Sequence, residues 1–229
     1  MDRFAVALLG ACALIGAGLS SEPHPAVSAE PVLAASTGLL APLATGSTAP
    51  SASTAPNASV EVEDAEVIAQ ILERFAMRHT ALPERERRRL AHVIVEEARA
   101  HDLEPDLVMA VIEVESAGYH LAESHVGALG LMQLLPPTGR EMAEDLGIEW
   151  KGPDTLFDPI INVRLGTAYL RVLADKYEGD VNTALAAYNW GPGRIDRRLA
   201  RGASVPKRYV EQVRRAADRY AAASSPSRS

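Results

Sequence analysis

Residues 105–118 read PDLVMAVIEVESAG. Pro105 suits a helix first turn, where its missing N–H would have had no partner in any case. Leu107, Val108, Ala110, Val111, Ile112 and Val114 then follow almost without interruption. A helix that is apolar nearly all round belongs at the centre of a domain, and Gly118 marks its end. Glu115 stands at its exit. A carboxyl half buried in apolar surroundings has its pKa raised, because losing water disfavours the charged form, and it can then serve as a general acid near neutral pH. The plainer alternative is an exposed glutamate at a helix end, and these residues alone do not choose between the two.

Working outward, the apolar period stays helical. Val67, Ile68, Ile71, Leu72 and Phe75 recur at three and four residues, and Leu90, Val93, Ile94 and Ala98 share a face behind the charged start after Pro83. The stretch 118–136 is punctuated by glycine and irregular. Further helices are predicted at about 137–146, 158–177, 180–190 and 207–223, with Pro192 and Gly193 read as turn formers. No long alternating strand pattern occurs, so the expected class is all-α, with at most a small β-hairpin near 118–126. Met132 and Leu134 are expected in the core. Trp190 suits either packing or stacking on a sugar.

The N-terminal quarter has a different character. Residues 4–19 (FAVALLGACALIGAGL) follow Arg3 and form an apolar run of export-signal type. Three readings fit residues 1–29: a signal cleaved after Val27-Ser28-Ala29, a lipidated Cys12 within Leu9-Gly10-Ala11-Cys12, or an uncleaved anchor slightly short of a full span. Residues 30–61 are Ala, Ser, Thr and Pro with very little charge, the composition of a flexible tether. The folded domain is expected over 62–222, with 223–229 a disordered tail. Export to the periplasm or cell envelope follows as an expectation, with membrane contact only through an N-terminal anchor.

Composition narrows the function classes. The formal charge is −7, and −5 for residues 61–229, which is the wrong sign for a nucleic-acid binder. The single cysteine, Cys12, lies in the apolar run, so thiol chemistry is not expected of the domain. His79, His92, His101, His120 and His125 are scattered rather than set at metal-ligand spacing. Neither a metal nor an organic cofactor is expected.

Three ordered blocks carry a resemblance. The first runs from Glu115-Ser116-Ala117-Gly118-Tyr119 through Ser124-His125-Val126-Gly127-Ala128-Leu129-Gly130-Leu131-Met132-Gln133-Leu134-Leu135-Pro136. The second holds Asn162, Gly166, Tyr169-Leu170 and then Ala184 through Tyr188-Asn189-Trp190-Gly191-Pro192-Gly193. The third is Pro206 through Tyr209-Val210. Together they resemble the lytic transglycosylases of the soluble-transglycosylase (SLT-domain, goose-lysozyme-like) superfamily over about 105–213. The resemblance implies a lysozyme-like fold and an enzyme acting on peptidoglycan glycan strands, with Glu115 as the catalytic acid. It implies that the Ser124 hydroxyl lies near that carboxyl and the substrate, and that Gly127 and Gly130 let backbone approach sugar rings. It makes Gln133 a substrate-binding amide and Leu135 a cleft contact, although many members have Met there. Tyr188 and Asn189 would line the cleft, with Tyr188 hydrogen-bonding near the carboxyl, and Tyr209 would help close the site. Around Val205-Pro206-Lys207-Arg208 the Glu-Thr-Arg run of many members is absent, which leaves substrate preference open.

Most glycosidases use two carboxylates. The resembled family uses one, which protonates the bridging oxygen after N-acetylmuramic acid and then takes the proton of the C6 hydroxyl as that oxygen closes a 1,6-anhydro ring. Two alternatives stand beside this reading: a hydrolase, for which an inward-facing Glu123 would hold water, and a non-catalytic wall-binding module. The chain is expected to act as a monomer, binding substrate itself or brought to it by an envelope protein.

Overall fold

The structure, a computed structural model, describes residues 57–78 and 80–224. The expected signal or anchor, most of the tether and the last five residues lie outside these. Eight α-helices occur among the described residues: α1 (Asn57–Ala76), α2 (Glu84–Ala100), α3 (Pro105–Ser116), α4 (Pro136–Asp145), α5 (Pro159–Lys176), α6 (Val181–Trp190), α7 (Pro192–Leu199) and α8 (Lys207–Ser224), with a 3-10 turn at Pro153–Phe157. The all-α class holds. In place of a hairpin there are two isolated antiparallel bridges, Glu123 to Leu129 and Leu129 to Leu134.

α3 is central, as its composition requires. Val108, Met109, Ala110, Val111 and Ile112 are all buried, between α2 on one side and α8 on the other. Burying each larger side chain favours the fold by about 1.5–3 kcal/mol. α2 also packs against α1 and α5, and α5 against α4 and α6, so the apolar stripes of the long helices meet in one core. Met132 and Leu134 join the buried residues, as expected.

Local chemistry sets the helix starts. Asp158 accepts the N–H groups of Ile160 (2.9 Å) and Ile161 (3.0 Å), with Pro159 at the first helical position of α5. Asp180 accepts from Asn182 (3.0 Å) and Thr183 (3.3 Å) to start α6. α7 departs from the sequence reading. Pro192 is not a turn former but the first residue of a helix that also contains Gly193, because a proline ring disrupts a helix interior and suits its first turn. α8 continues through Ser224, one residue past the expected helix and two into the expected tail.

The irregular segment 117–135 is hung on α5 by one buried side chain. Asn162 Oδ1 accepts the Met132 N–H (2.8 Å), and Nδ2 donates to the carbonyls of Leu129 (3.0 Å) and Leu156 (2.9 Å). Gly166, one turn on, lets α5 approach closely, since a Cβ there would lie 2.5 Å from the Met132 sulfur. Asn162→Ala would leave the Met132 N–H and the Leu156 carbonyl without the partner Asn162 gives them, while the Leu129 carbonyl keeps the Leu134 N–H (3.1 Å). It is expected to lower unfolding stability by on the order of 3–5 kcal/mol, read from the urea midpoint. A loss below about 1 kcal/mol, the worth of one ordinary hydrogen bond, would show that the segment is held elsewhere.

Candidate active site

Glu115 occupies the last turn of α3. Beyond it the helix is closed locally: Ser116 Oγ donates to the Ile112 carbonyl (3.1 Å) and accepts the Gly118 N–H (3.2 Å), and Ala117 turns into the left-handed region. The half-buried Glu115 side chain keeps some contact with solvent, yet its carboxyl is enclosed enough for desolvation to dominate its titration, and its pKa is pushed up to about 7. The negative end of the α3 dipole acts in the same direction. Opposing both, the buried Tyr209 hydroxyl at the start of α8 donates to Glu115 Oε1 (2.6 Å) and favours the charged form. Burial prevails. The Tyr188 and Tyr209 phenols are themselves driven well above their usual range, by burial first and by the Glu115 charge second, so both remain donors.

The second acid of the helix has the opposite fate. Glu113 faces Arg78 (3.1 Å), Arg219 (2.7 Å) and the Tyr220 hydroxyl, which together outweigh its own desolvation and hold its carboxyl below the usual range. One helix therefore carries a committed anion and, two residues on, a carboxyl balanced near neutrality.

The segment after α3 forms a wall built from its own backbone. Ser124 Oγ accepts the Ala128 N–H (2.9 Å), which leaves the hydroxyl proton to donate elsewhere. Gln133, a non-glycine residue at φ 49°, directs Nε2 to the carbonyls of Gly130 (2.9 Å) and Ala122 (3.1 Å), leaving Oε1 as an acceptor. A left-handed backbone at such a residue persists only where its surroundings enforce it. Tyr188 donates to the Met132 carbonyl (2.8 Å), beside Gln133, and its ring meets that of Tyr169 at 5.4 Å.

One carboxyl balanced between its two charge states, two protonated phenols and an open amide oxygen are thus collected where α3, α6, α8 and the 117–135 segment meet. The Transglycosylase SLT domain family matches residues 92–210, just over half of the chain. The chain belongs to this family. The SLT domain is 37% identical over 98 residues to the soluble lytic murein transglycosylase of Salmonella typhimurium, covering 42% of this chain and 15% of that one. It is 40% identical over 108 residues to the transglycosylase of Enterobacteria phage PRD1, covering 42% and 37% respectively. Among solved structures it is similar to an inactive mutant, with glutamine in place of a glutamate, of lytic transglycosylase Slt from Pseudomonas aeruginosa: TM-score 0.53 and 33% identity over 57% of this chain and 24% of that one. The chain thus spans well under half the length of these relatives. The likeness shows a lysozyme-like, all-helical SLT fold.

Within the SLT domain, the residues expected at the site fall into three groups. Glu115 and Tyr209 are in direct contact, while Tyr188, Gln133 and Gly130 are joined around Met132. Two details differ from expectation. The hydroxyl on the acid belongs to Tyr209, not Tyr188, because α8 packs along α3 and delivers Tyr209 at its first turn. Gly130 is buried, and a Cβ there would lie 2.2 Å from the Leu156 carbonyl and 2.3 Å from Asn162 Nδ2, so the interior packing by itself requires its small size. Gly127, by contrast, faces open space. Ser124 forms no hydrogen bond to Glu115 among the described residues. Leu135 and Asn189 are half-buried at the start of α4 and the end of α6. Tyr169, given no role from sequence, stacks on the site, and burial raises its phenol to about 12. Glu123 is exposed. Among the described residues no group of His, Cys, Asp or Glu is placed to hold a metal.

Two measurements check the electrostatics. Glu115 titrates above its unfolded value, so the folded form binds the extra proton between about pH 4.5 and 7, and its burial costs stability as pH rises through that window. Glu115→Gln should therefore unfold at higher temperature than wild type at pH 8, by the equivalent of roughly 3 kcal/mol at most, with the gap closing at pH 4. In a ¹³C NMR titration the Glu115 carboxyl should have its midpoint near 7, and in Tyr209→Phe the midpoint should move higher. A downward move would mean that Tyr209 does not stabilise the carboxylate.

Proposed function

We propose that this SLT domain is a peptidoglycan lytic transglycosylase, cleaving the β-1,4 bond between N-acetylmuramic acid and N-acetylglucosamine with formation of 1,6-anhydro ends. The observation that carries this reading is the single carboxyl balanced near neutrality at Glu115 with Tyr209 donating to it. The family membership and the lytic murein transglycosylases among the relatives support it. So does the inactive relative that has glutamine for a glutamate.

The proposed sequence begins with Glu115 protonated. Its proton passes to the bridging glycosidic oxygen as the bond to the anomeric carbon of N-acetylmuramic acid breaks, and the sugar leaving on the other side departs as an alcohol. Tyr209 then stabilises the carboxylate just formed. That carboxylate takes the proton of the C6 hydroxyl while the C6 oxygen bonds to the anomeric carbon, regenerating the acid. Attack from within the same sugar needs no activated water, because proximity replaces it. This suits the carboxylates present: Glu113 is tied to Arg78 and Arg219, and Glu123 is exposed. Ser124, Gly127, Gln133, Leu135, Tyr188 and Asn189 would line the groove, with the Gln133 Oε1 and the Ser124 hydroxyl offered to sugar hydroxyl and amide groups. The substrate places the domain in the cell envelope. No helix among the described residues is long and apolar enough to cross a membrane.

Mass spectrometry of peptidoglycan digested by the purified chain tests the assignment. Products with anhydro ends from wild type and none from Glu115→Gln are expected, with kcat for the variant lower by at least about a thousandfold, a loss of the size seen when a single catalytic group is removed. Products one water heavier would replace the transglycosylase with a hydrolase and turn attention to Glu123.

A further inference from the structure

The chain between Tyr188 and Tyr209 leaves the site at one tyrosine and returns to it at the other. Residues 189–208 hold six Lys or Arg (Arg194, Arg197, Arg198, Arg201, Lys207 and Arg208) against one acid, Asp196, in a chain whose net charge is −7. Asp196 is already engaged, by Lys176 (3.1 Å) and the Tyr177 hydroxyl (2.9 Å). The rest of the chain carries 17 basic against 29 acidic residues, a net −12, while this one excursion rooted at the site is net +5.

The arrangement of these cations is regular. Arg194, Arg197, Arg198 and Arg201 recur at three and four residues along α7 and its exit, which places them along one side of that helix. At its inner end the stripe meets Trp190, next to the Tyr188-Asn189 pair, with the Arg194 and Arg198 guanidinium carbons 5.4 and 6.0 Å from the indole ring centre. Arg198 is further fixed by donating Nε to the Ser204 carbonyl (2.6 Å). At the outer end Lys207 and Arg208 occupy the first turn of α8, with no acidic residue there. Cations at a helix N-terminus oppose its dipole, at a cost of about 0.3–1 kcal/mol each. Packing does not explain them either, since Arg197, Arg201, Lys207 and Arg208 are all exposed. Arg197 has the Asp196 carboxylate nearby, but the exposed Lys207 and Arg208 oppose the dipole of their own helix, and a local arrangement that opposes stability points to an external partner.

We propose that the α7 stripe and the start of α8 form an anion-binding face for the carboxylate-bearing peptide stems of the glycan strand held in the cleft. This rests on the reading of the substrate given above. The charge logic is specific to that substrate. A glycan carrying acidic stems approaches a protein of net negative charge, so long-range repulsion opposes encounter on the whole, and this net-positive face beside the site reverses it locally. The face begins at Trp190, where an indole with guanidinium groups over it offers a flat apolar surface beside fixed positive charge. Stems projecting from a strand bound past Tyr188 would meet the guanidinium groups of α7, which pair with carboxylates in planar, two-point fashion.

The test uses binding as well as turnover. The full chain carrying Glu115→Gln, which holds strands without cutting them, is titrated by fluorescence anisotropy with stem-bearing glycan strands and with strands stripped of peptide by an amidase. It is compared with the same protein carrying R197Q, R201Q and R208Q as well. Tighter binding of stem-bearing strands is expected, weakening as salt rises. The three substitutions should reduce that affinity about tenfold, leave the stripped strands unchanged and leave the melting temperature where it was. Equal loss on both strands would show attraction to the glycan itself and overturn the proposal, as would no loss on either. With Glu115 restored, the rate on stem-bearing strands should fall in parallel while anhydro products still form from stripped strands. Absence of cleavage by wild type would count against the lytic assignment alone, since the binding ratios are read without it.

Discussion

The amide of Asn162 is the hinge on which the site depends. A run of nineteen residues between α3 and α4 has little regular structure, its large buried side chains are confined to Leu129–Leu134, and several of its peptide groups must be satisfied away from water. Left to itself such a segment would sample many conformations. One asparagine on α5 answers two of its backbone groups and the carbonyl at the end of the 3-10 turn, and Gly130 lies flush against it because no Cβ intervenes. Met132 is thereby placed, and through its carbonyl the Tyr188 hydroxyl. Gln133 is then forced into its left-handed conformation next door. The positions of three cleft residues follow from one buried side chain that itself faces away from the cleft.

Against that rigid wall stands a carboxyl whose charge is undecided. Glu113 and Glu115 share a helix, a residue type and nearly the same position, yet their surroundings separate them. Two guanidinium groups and a phenol decide Glu113 in favour of the anion. Glu115 receives one neutral donor, at the helix end where the backbone carbonyls point, and remains near balance. A group that must give a proton and then take one back is best served by that balance, since either form is reached at little cost. The arginines around Glu113 also anchor α3 to α8 and to the residues just after α1, so the helix is held by its committed anion while Glu115 stays near balance.

Much of this was legible in the residues. The apolar run of α3 gave a central helix, and the acid at its exit could be singled out before any coordinate was known. The resemblance supplied the cleft residues as a set. What it could not supply was which of them touch. Tyr188 and Tyr209 are both phenols at matching positions, and the choice of which one donates to Glu115 depends on how α8 lies along α3. Gly130 was ascribed to the substrate because its true neighbours, Leu156 and Asn162, are some thirty residues away in the chain. α7 was missed because Gly-Pro-Gly reads as a break, and it is one, but the proline also opens the helix that follows. The net charge concealed the stripe on that helix, because a sum over the chain erases where the charges lie.

The contact between Tyr209 and Glu115 spans 94 residues of chain. The acid is among the earlier parts of the domain to be synthesised, and the hydroxyl that completes it belongs to the last helix. Until α8 has docked on α3, the glutamate lacks its hydroxyl donor and the cover that the last helix gives it. A partly made chain therefore carries the acid without the hydrogen bond that biases its charge. That contact forms only when the final helix closes on the core, and a chain cut short before residue 209 lacks it.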